Sequence, residues 1–488
     1  MNTVSNLNLH VGPFIDGKLL ASMSDQTHDV ICPSTGQKFL FIPTGCEQDV
    51  DRAVSSARTA FEDGRWSEMP PSFKKKTLTR FADLIEEQAA TLDALDAEEM
   101  GKPLSASFGD ASSAAGAIRF CAEAVDKITG DVLTSDNTSV VTVGHVPRGV
   151  VASVAPWNFP TFNAAGGIAS ALAAGNSVVL KPSELSSRSA IHLAQMAVEA
   201  GLPEGVFNVV PGVGETVGRA LGLHMDVDML IFTGSTAVGR LMLQYAGQSN
   251  MKVVATECGG KSPQIVFADG VDLDAAADTI AQSILMNQGQ VCSAGSRLLV
   301  QQEIETELIE KIVSRFKKTV VGNALDPNTT FGPIVTEKQC KKVMQYIQSG
   351  LNEGAQLVTG GNRLLPETGG YFVEPTLLRH VQPDTKIAQE EIFGPVLSAI
   401  SFKDEEDAIR IANSTVYGLV SSVWTSNLST GMRLSKKIHA GMVFVNAASP
   451  AGEGAGNAIS FEPYGLSGVG VAGGIAGIEA CMRRQLNW

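Results

Sequence analysis

Val150-Val151-Ala152-Ser153-Val154-Ala155-Pro156-Trp157-Asn158-Phe159-Pro160 opens the stretch whose reading decides the fold. A short β-branched run stops at a pair of prolines, and an Ala-rich helical run follows over 163–174. The pattern then repeats. Ser177–Leu180 precedes 187–200, Val206–Val210 precedes 214–221, Met229–Phe232 precedes 236–246, and Lys252–Ala255 closes the series. Strands that alternate with helices form a mostly parallel, doubly wound sheet covered on both faces. A second α/β series begins at Gln264–Phe267 and runs to about Val445, so the class is α/β with two such units.

Upstream, the periodicity predicts amphipathic helices. Asp49–Asp63 sets Val50, Ala53, Val54, Ala57, Ala60 and Phe61 on one side, and Ser72–Gln88 follows Pro70-Pro71 with Phe73, Leu78, Phe81, Leu84 and Ile85 as its apolar set. A third helix is expected over Gly109–Val125. Asp131–Val146 alternates polar and apolar residues like an antiparallel ribbon, and the tail Cys481–Trp488 is a second candidate edge strand. A lone ribbon is marginal without a partner. Subunit pairing and packing on the chain's own surface are both open uses for these two segments.

At 488 residues the chain can bury a large core, and size priors suggest two or three domains of roughly 100–200 residues each. The net charge of −14 argues against nucleic acid or an anionic membrane as the main partner. Seven cysteines show no CxxC pair and no Cys/His ligand spacing, which argues against a metal site and for reduced thiols in the cytoplasm. Met1–Asn6 has no basic region before an apolar core, so no signal peptide is expected. The longest apolar region, Gly149–Leu180, is broken by Pro156, Asn158, Pro160, Asn163 and Asn176 and reads as buried core, not a membrane span.

Open α/β sheets bind ligands beyond the C-terminal ends of their strands. Four such ends carry chemistry: Pro156–Pro160, Lys181–Glu184, Thr233–Gly239 and Thr256-Glu257. Gly234 and Ser235 open a helix directly after a strand, where free N–H groups and the positive dipole end suit a pyrophosphate. Lys181 and Glu184 offer a donor and an acceptor for a ribose, and a carboxylate there would repel a 2′-phosphate, favouring NAD over NADP. The literal GxGxxG at Gly468–Gly473 lacks a preceding strand and a following βαβ unit, and is read as flexible backbone.

Asn287-Gln288-Gly289-Gln290-Val291-Cys292-Ser293-Ala294-Gly295-Ser296-Arg297 surrounds one cysteine with amides, glycines and hydroxyls. A thiol in polar, partly open surroundings can ionise, and the thiolate is the nucleophile. Glu257, just past Lys252–Ala255, is a candidate base on a separate loop. Cys258 adjoins Glu257 and competes with Cys292, but its turn of glycines favours a packing role.

Together these residues resemble the aldehyde dehydrogenase superfamily. The matching pieces are Pro156–Pro160, Lys181–Glu184, Phe232–Ser235, Glu257–Lys261, Gly289–Cys292 and Glu391-Ile392-Phe393-Gly394-Pro395, in the family's order over nearly the whole chain. The resemblance implies oxidation of an aldehyde to a carboxylic acid with NAD(P). It implies an NAD-binding domain over 1–124 and 148–259, a catalytic domain over 260–474, and a small β oligomerisation element over 125–147 and 475–488, hence dimers or tetramers. It implies that Cys292 attacks the carbonyl carbon, that the Asn158 side-chain amide and the Cys292 backbone N–H meet the oxyanion, and that Glu257 activates the water that hydrolyses the thioester. Glu391 would hold the nicotinamide ribose with Phe393 beside the ring, Lys181 and Glu184 the adenosine ribose, and Gly234 and Ser235 the pyrophosphate with Trp157 nearby.

The chain departs from the family near its C-terminus. Where many relatives carry Arg-Glu, it has Val471-Ala472, so a proton relay through that acid is absent, while Glu462 is a new carboxylate close by. Phe159, Phe162 and Met286 would supply an apolar wall and Gly166 would leave room, which predicts a bulky or aromatic aldehyde. Two competing activities are a CoA-acylating oxidation, against which Glu257 argues, and a nicotinamide-independent cysteine hydrolase, which would need a histidine beside the thiol. A non-catalytic structural role is disfavoured by the joint presence of Cys292, Glu257 and Asn158.

Overall fold

The computed structural model describes residues 11–106, 109–448 and 455–487. The N-terminal stretch read for a signal peptide and the terminal Trp488 lie outside the described residues. Two large sheets organise the chain. The first runs in the order Lys18–Leu19, Phe14–Ile15, Phe207–Val209, Ser177–Lys181, Val150–Val154, Met229–Thr233, Val253–Glu257 and Gly468–Val469. From Phe207–Val209 to Val253–Glu257 all neighbours are parallel. The chain starts at Val150–Val154, steps outward one way through Ser177–Lys181, then crosses back to Met229–Thr233. Strand order therefore reverses between Val150–Val154 and Met229–Thr233, and the crevice at such a reversal is where doubly wound sheets bind ligands.

Burial on both faces explains the near-continuous apolar strands. In Val150–Val154, Val151 joins the core built on Trp66, Phe81, Leu172 and Phe207, while Val150, Ala152 and Val154 join the opposite core with Val50, Val54 and Phe232. Trp66 is fully buried and its indole N–H donates to the Leu172 carbonyl at 2.9 Å.

The second sheet runs Gln356–Thr359, Thr376–Arg379, Val396–Phe402, Arg297–Gln301, Pro263–Val266, Val420–Trp424 and Met442–Val445, parallel except at the first pair. Its first strand follows directly from the last residue of Val253–Glu257, so the C-terminal edge of one sheet meets the N-terminal edge of the other. The antiparallel ribbon and the tail pair with each other: Met482–Asn487 runs against Thr142–Pro147, which also pairs with Asp131–Val132. No described helix is long and apolar enough to cross a membrane.

Several expectations shift. Phe73 is 39% exposed, not on the buried face of Pro71–Glu87, and packs edge-on to Trp66 with ring centroids 6.4 Å apart. The helix Ala89–Met100 escaped the periodicity because it is buried nearly all round, including Asp96 and Glu99, and shows no one-sided stripe. Glu257 ends its strand where the sequence put it just beyond. The region 214–221 opens as a π turn, Gly214–Gly218, before the short helix Arg219–Leu223. The GxGxxG glycines serve packing: Gly468–Val469 pairs antiparallel with Thr256 and Glu257, which draws part of the 260–474 range into the first sheet. Ile478 and Cys481, within 475–488, are likewise buried in the first core.

Trp66→Ala removes the largest fully buried side chain and strands its carbonyl partner. It is expected to cost about 3–5 kcal/mol, read as a lower thermal unfolding midpoint; an unchanged midpoint would contradict this account of the first core.

Candidate active site

A cavity of about 440 Å³ opens at the strand-order reversal. Trp157, Asn158, Phe159 and Phe162 reach it from one strand end, Gly234 and Ser235 from the next, and Glu257 from the third. The second sheet adds Met286, Cys292, Glu391 and Phe393. Three of the four chemically loaded strand ends thus line one space. Lys181 and Glu184 do not line it; they sit at the neighbouring strand end, with Lys181 Nζ 2.8 Å from the Pro182 carbonyl and 3.5 Å from Glu184. Gly166 lines an adjoining hollow instead, and Glu462 is exposed and lines neither.

Two glycines let the parts close up. A Cβ on Gly259 would lie 2.2 Å from a Glu391 carboxylate oxygen, and the next residue's N–H donates to Glu391 Oε1 at 3.2 Å. Gly289 adopts φ +69°, and a Cβ there would lie 2.3 Å from the Gly394 carbonyl. The loop that carries Cys292 and the loop that carries Glu391 are therefore in backbone contact. Asn287 and Gln288 precede Gly289 at φ 46° and 56°, a left-handed run that non-glycine residues rarely adopt. Such backbone strain costs of order 1–3 kcal/mol per residue and persists only where surrounding contacts fix it. Here the contacts are on the page: Asn287 Nδ2 donates to the Asn158 carbonyl at 2.7 Å, and the Gln290 side chain is held by the Asn287 carbonyl at 3.2 Å and the Val335 N–H at 2.9 Å.

Asn158 is buried and oriented from both ends. Its Nδ2 donates to the Gln290 carbonyl at 2.9 Å and its Oδ1 accepts from Asn163 Nδ2 at 3.5 Å. A side-chain amide has two N–H groups; the second is left for the cavity that Asn158 lines. Asn287, Gln290 and Asn163 were not singled out from sequence. The signal for the first two was the polar run before Cys292, whose amides hold the loop instead of touching a ligand.

Electrostatics in the cavity are governed by desolvation. Burial alone pushes the Glu257 carboxyl up to about 8. Burial also raises Glu391 to about 7, opposed by the Gly260 N–H bond and by Lys342 and Lys261. Cys292 is half-buried as a residue, yet enclosure of its sulfur and then the nearby Glu391 and Glu257 push the thiol up to about 12. The expectation of a readily ionised thiol therefore does not hold for the ligand-free cavity: the backbone N–H groups of Cys292 and Ser293 favour the thiolate but are outweighed. Cys258 is packed in the core with its thiol raised to about 11, chiefly by burial, and lines no part of the cavity.

The residues fit a nicotinamide dinucleotide. Ser235 caps the helix Thr236–Gln248, whose N-terminal end faces the cavity, with Oγ accepting from the Val238 N–H at 3.4 Å. Trp157 and Phe393 pack edge to face at 5.4 Å and build an apolar wall, and Phe393 is held at φ 58°. Gln339 Nε2 clamps that loop by donating to the Ile392 and Phe393 carbonyls at 2.9 and 2.8 Å. Among the described residues no cluster of His, Cys, Asp or Glu could hold a metal ion, and no histidine lines the cavity.

The profile of the aldehyde dehydrogenase family matches residues 20–486. An aldehyde dehydrogenase of Enchytraeus buchholzi is 42% identical over 469 residues, 96% of this chain and 93% of that one. The NADP/NAD-dependent aldehyde dehydrogenase PuuC of Escherichia coli (strain K12) is 44% identical over 89% of this chain and 87% of its own. Among solved structures, an indole-3-acetaldehyde dehydrogenase complexed with NAD+ superimposes with a TM-score of 0.96 at 44% identity, covering 99% of this chain and 97% of that one. The aldehyde dehydrogenase KauB from Pseudomonas aeruginosa gives 0.96 at 46% identity with the same coverage.

Gly259→Ala drives a methyl group into the Glu391 carboxylate. The expected result is at least a tenfold higher KM for the dinucleotide with an unchanged circular dichroism spectrum; an unaltered KM would separate Glu391 from the dinucleotide.

Proposed function

The chain belongs to the aldehyde dehydrogenase family, and we propose that Cys292, Glu257 and Asn158 together oxidise a bulky or aromatic aldehyde to its carboxylic acid with NAD+. The protein is an oxidoreductase that acts on aldehydes. The observation that carries the finer reading is that one cavity gathers a cysteine, a carboxylate and an amide beside a helix N-terminus and a second buried carboxylate.

Each residue has a task that its surroundings suit. The Cys292 sulfur, once deprotonated, adds to the carbonyl carbon. The oxygen becomes an alkoxide, met by the second N–H of the Asn158 amide and by the Cys292 backbone N–H; preorganised donors of this kind are worth about 2.7–4 kcal/mol each. When bound, the dinucleotide supplies the hydride acceptor, with Glu391 toward the nicotinamide ribose, Gly234 and Ser235 toward the pyrophosphate, and Lys181 with Glu184 toward the adenosine ribose. The carbon is left as a thioester on Cys292. Glu257 then takes a proton from water as its oxygen attacks, which releases the acid and returns the thiol. The Glu184 carboxylate favours NAD over NADP, since it would face a 2′-phosphate with like charge.

Phe159, Phe162 and Met286 form the apolar side of the cavity and support a bulky substrate. A thiol hydrolase would need a histidine next to Cys292, and the cavity offers none among the described residues. The exposed strand Met482–Asn487, paired with Thr142–Pro147, supports pairing of two or four copies through this small sheet.

In an absorbance assay for NADH, Glu257→Gln is expected to release one rapid equivalent and then stall, because acylation survives and hydrolysis does not. Sustained turnover at the wild-type rate would remove Glu257 from the water step. Only the ionised carboxylate can accept the proton, so the wild-type steady rate is expected to rise with pH through about 8. A flat profile between pH 6 and 9 would contradict that assignment.

A further inference from the structure

Beside the reaction cavity lies a second hollow of about 390 Å³. The two share Phe162, Asn163, Thr233, Glu257 and Ser293, so the hollow opens at the reacting atoms and not at a remote surface. Its wall is largely hydrocarbon, built by Phe120, Ile231, Met442, Phe444, Ile459 and Phe461. Glu257 is the only charged residue in the lining among the described residues. The reaction cavity differs: Asp110 and Lys342 line it together with both carboxylates of the site.

The hollow exists because its small residues leave it open. Gly166 lies in the middle of the helix Pro160–Ala173, and a Cβ built on it would meet nothing within 4 Å. Ala472 lines the opposite part, fixed by a reciprocal pair of backbone hydrogen bonds with Phe461, each 3.0 Å. Backbone pairing sets where residue 472 sits, and its side chain stops at a methyl group. Much of the reaction cavity faces the dinucleotide residues Trp157, Gly234, Ser235, Glu391 and Phe393. A large substrate body therefore has more room in the hollow than beside the reacting carbon.

We propose that this hollow is the subsite for the apolar, uncharged body of the aldehyde, an aryl group or a medium-length alkyl chain, with Gly166 and Ala472 as its specificity-determining residues. The inference rests on the bulky-aldehyde reading above and sharpens it. Burial of hydrocarbon there gains about 25 cal/mol per Å², whereas a fixed charge on the substrate body would lose its water with no counter-charge except the catalytic carboxylate. Charged aldehydes are therefore excluded and neutral ones of the same shape accepted.

The test compares kcat/KM for octanal, 3-phenylpropanal and acetaldehyde in wild type, Gly166→Leu and Ala472→Leu. Gly166→Leu replaces a mid-helix glycine in open space, so its fold is preserved; Ala472→Leu supplies an independent plug. The octanal-to-acetaldehyde and 3-phenylpropanal-to-acetaldehyde ratios are expected to fall at least tenfold in both variants, through a higher KM for the large substrates. If wild type favours the large aldehydes and the plugs leave the ratios unchanged, the subsite is wrong and the bulky-aldehyde reading stands. If wild type favours acetaldehyde, that reading itself fails. A second arm compares 5,5-dimethylhexanal with its charged isostere 4-(trimethylammonio)butanal in wild type. The neutral compound is expected to be preferred at least tenfold, and equal or reversed preference would overturn the assignment.

Discussion

The site depends on how closely two sheets approach edge to edge at Glu257–Ser262. The chain leaves the first sheet at Glu257 and enters the second at Pro263, with a turn between them that has no room for side chains. Gly259 lies against the Glu391 carboxylate, and a Cβ on Gly260 would lie 2.6 Å from the Cys292 carbonyl. Three segments far apart in sequence thus share one contact. Parallel sheets expose their loops at fixed ends, so joining the C-terminal edge of one to the N-terminal edge of the other puts loops from both on a common floor. The nucleophile and its proton acceptor then come from different sheets and are aligned by backbone packing, not by a bond between them.

Enclosure also sets the chemistry. Glu257, Glu391 and Cys292 all favour their neutral forms because water is withdrawn and little positive charge replaces it. A neutral thiol is a poor nucleophile and a poor target for oxidants. A carboxyl poised near 8 exchanges protons at physiological pH, which suits a base that must act repeatedly. The same dryness extends past Glu257 into the adjoining hollow, where the wall carries no other charge among the described residues. Reactivity and substrate selection are in this sense two results of one desolvated space.

Much of this was legible in the chain itself. The alternation over 150–257 gave the first sheet because strands buried on both faces must be continuously apolar, and Cys292 stood out because its neighbours were not. Reading failed where side chains serve the backbone. Asn287 and Gln290 looked like a generic polar loop, but a left-handed turn needs amides to hold it, and no spacing rule encodes that. Ala89–Met100 was missed because burial on every side erases the stripe that marks a helix. The ionisation of Cys292 was misjudged for a related cause: sequence shows polar neighbours, but not whether water reaches the sulfur or which carboxylates fold in beside it.

The central claim is that one sulfur carries the acyl group. Peptide mass mapping of Glu257→Gln, quenched after mixing with NAD+ and 3-phenylpropanal, tests it directly. The account expects the mass of a 3-phenylpropanoyl group on the peptide that contains Cys292 and none on the peptide that contains Cys258. An adduct on Cys258, or none on any cysteine while NADH accumulates, would contradict it.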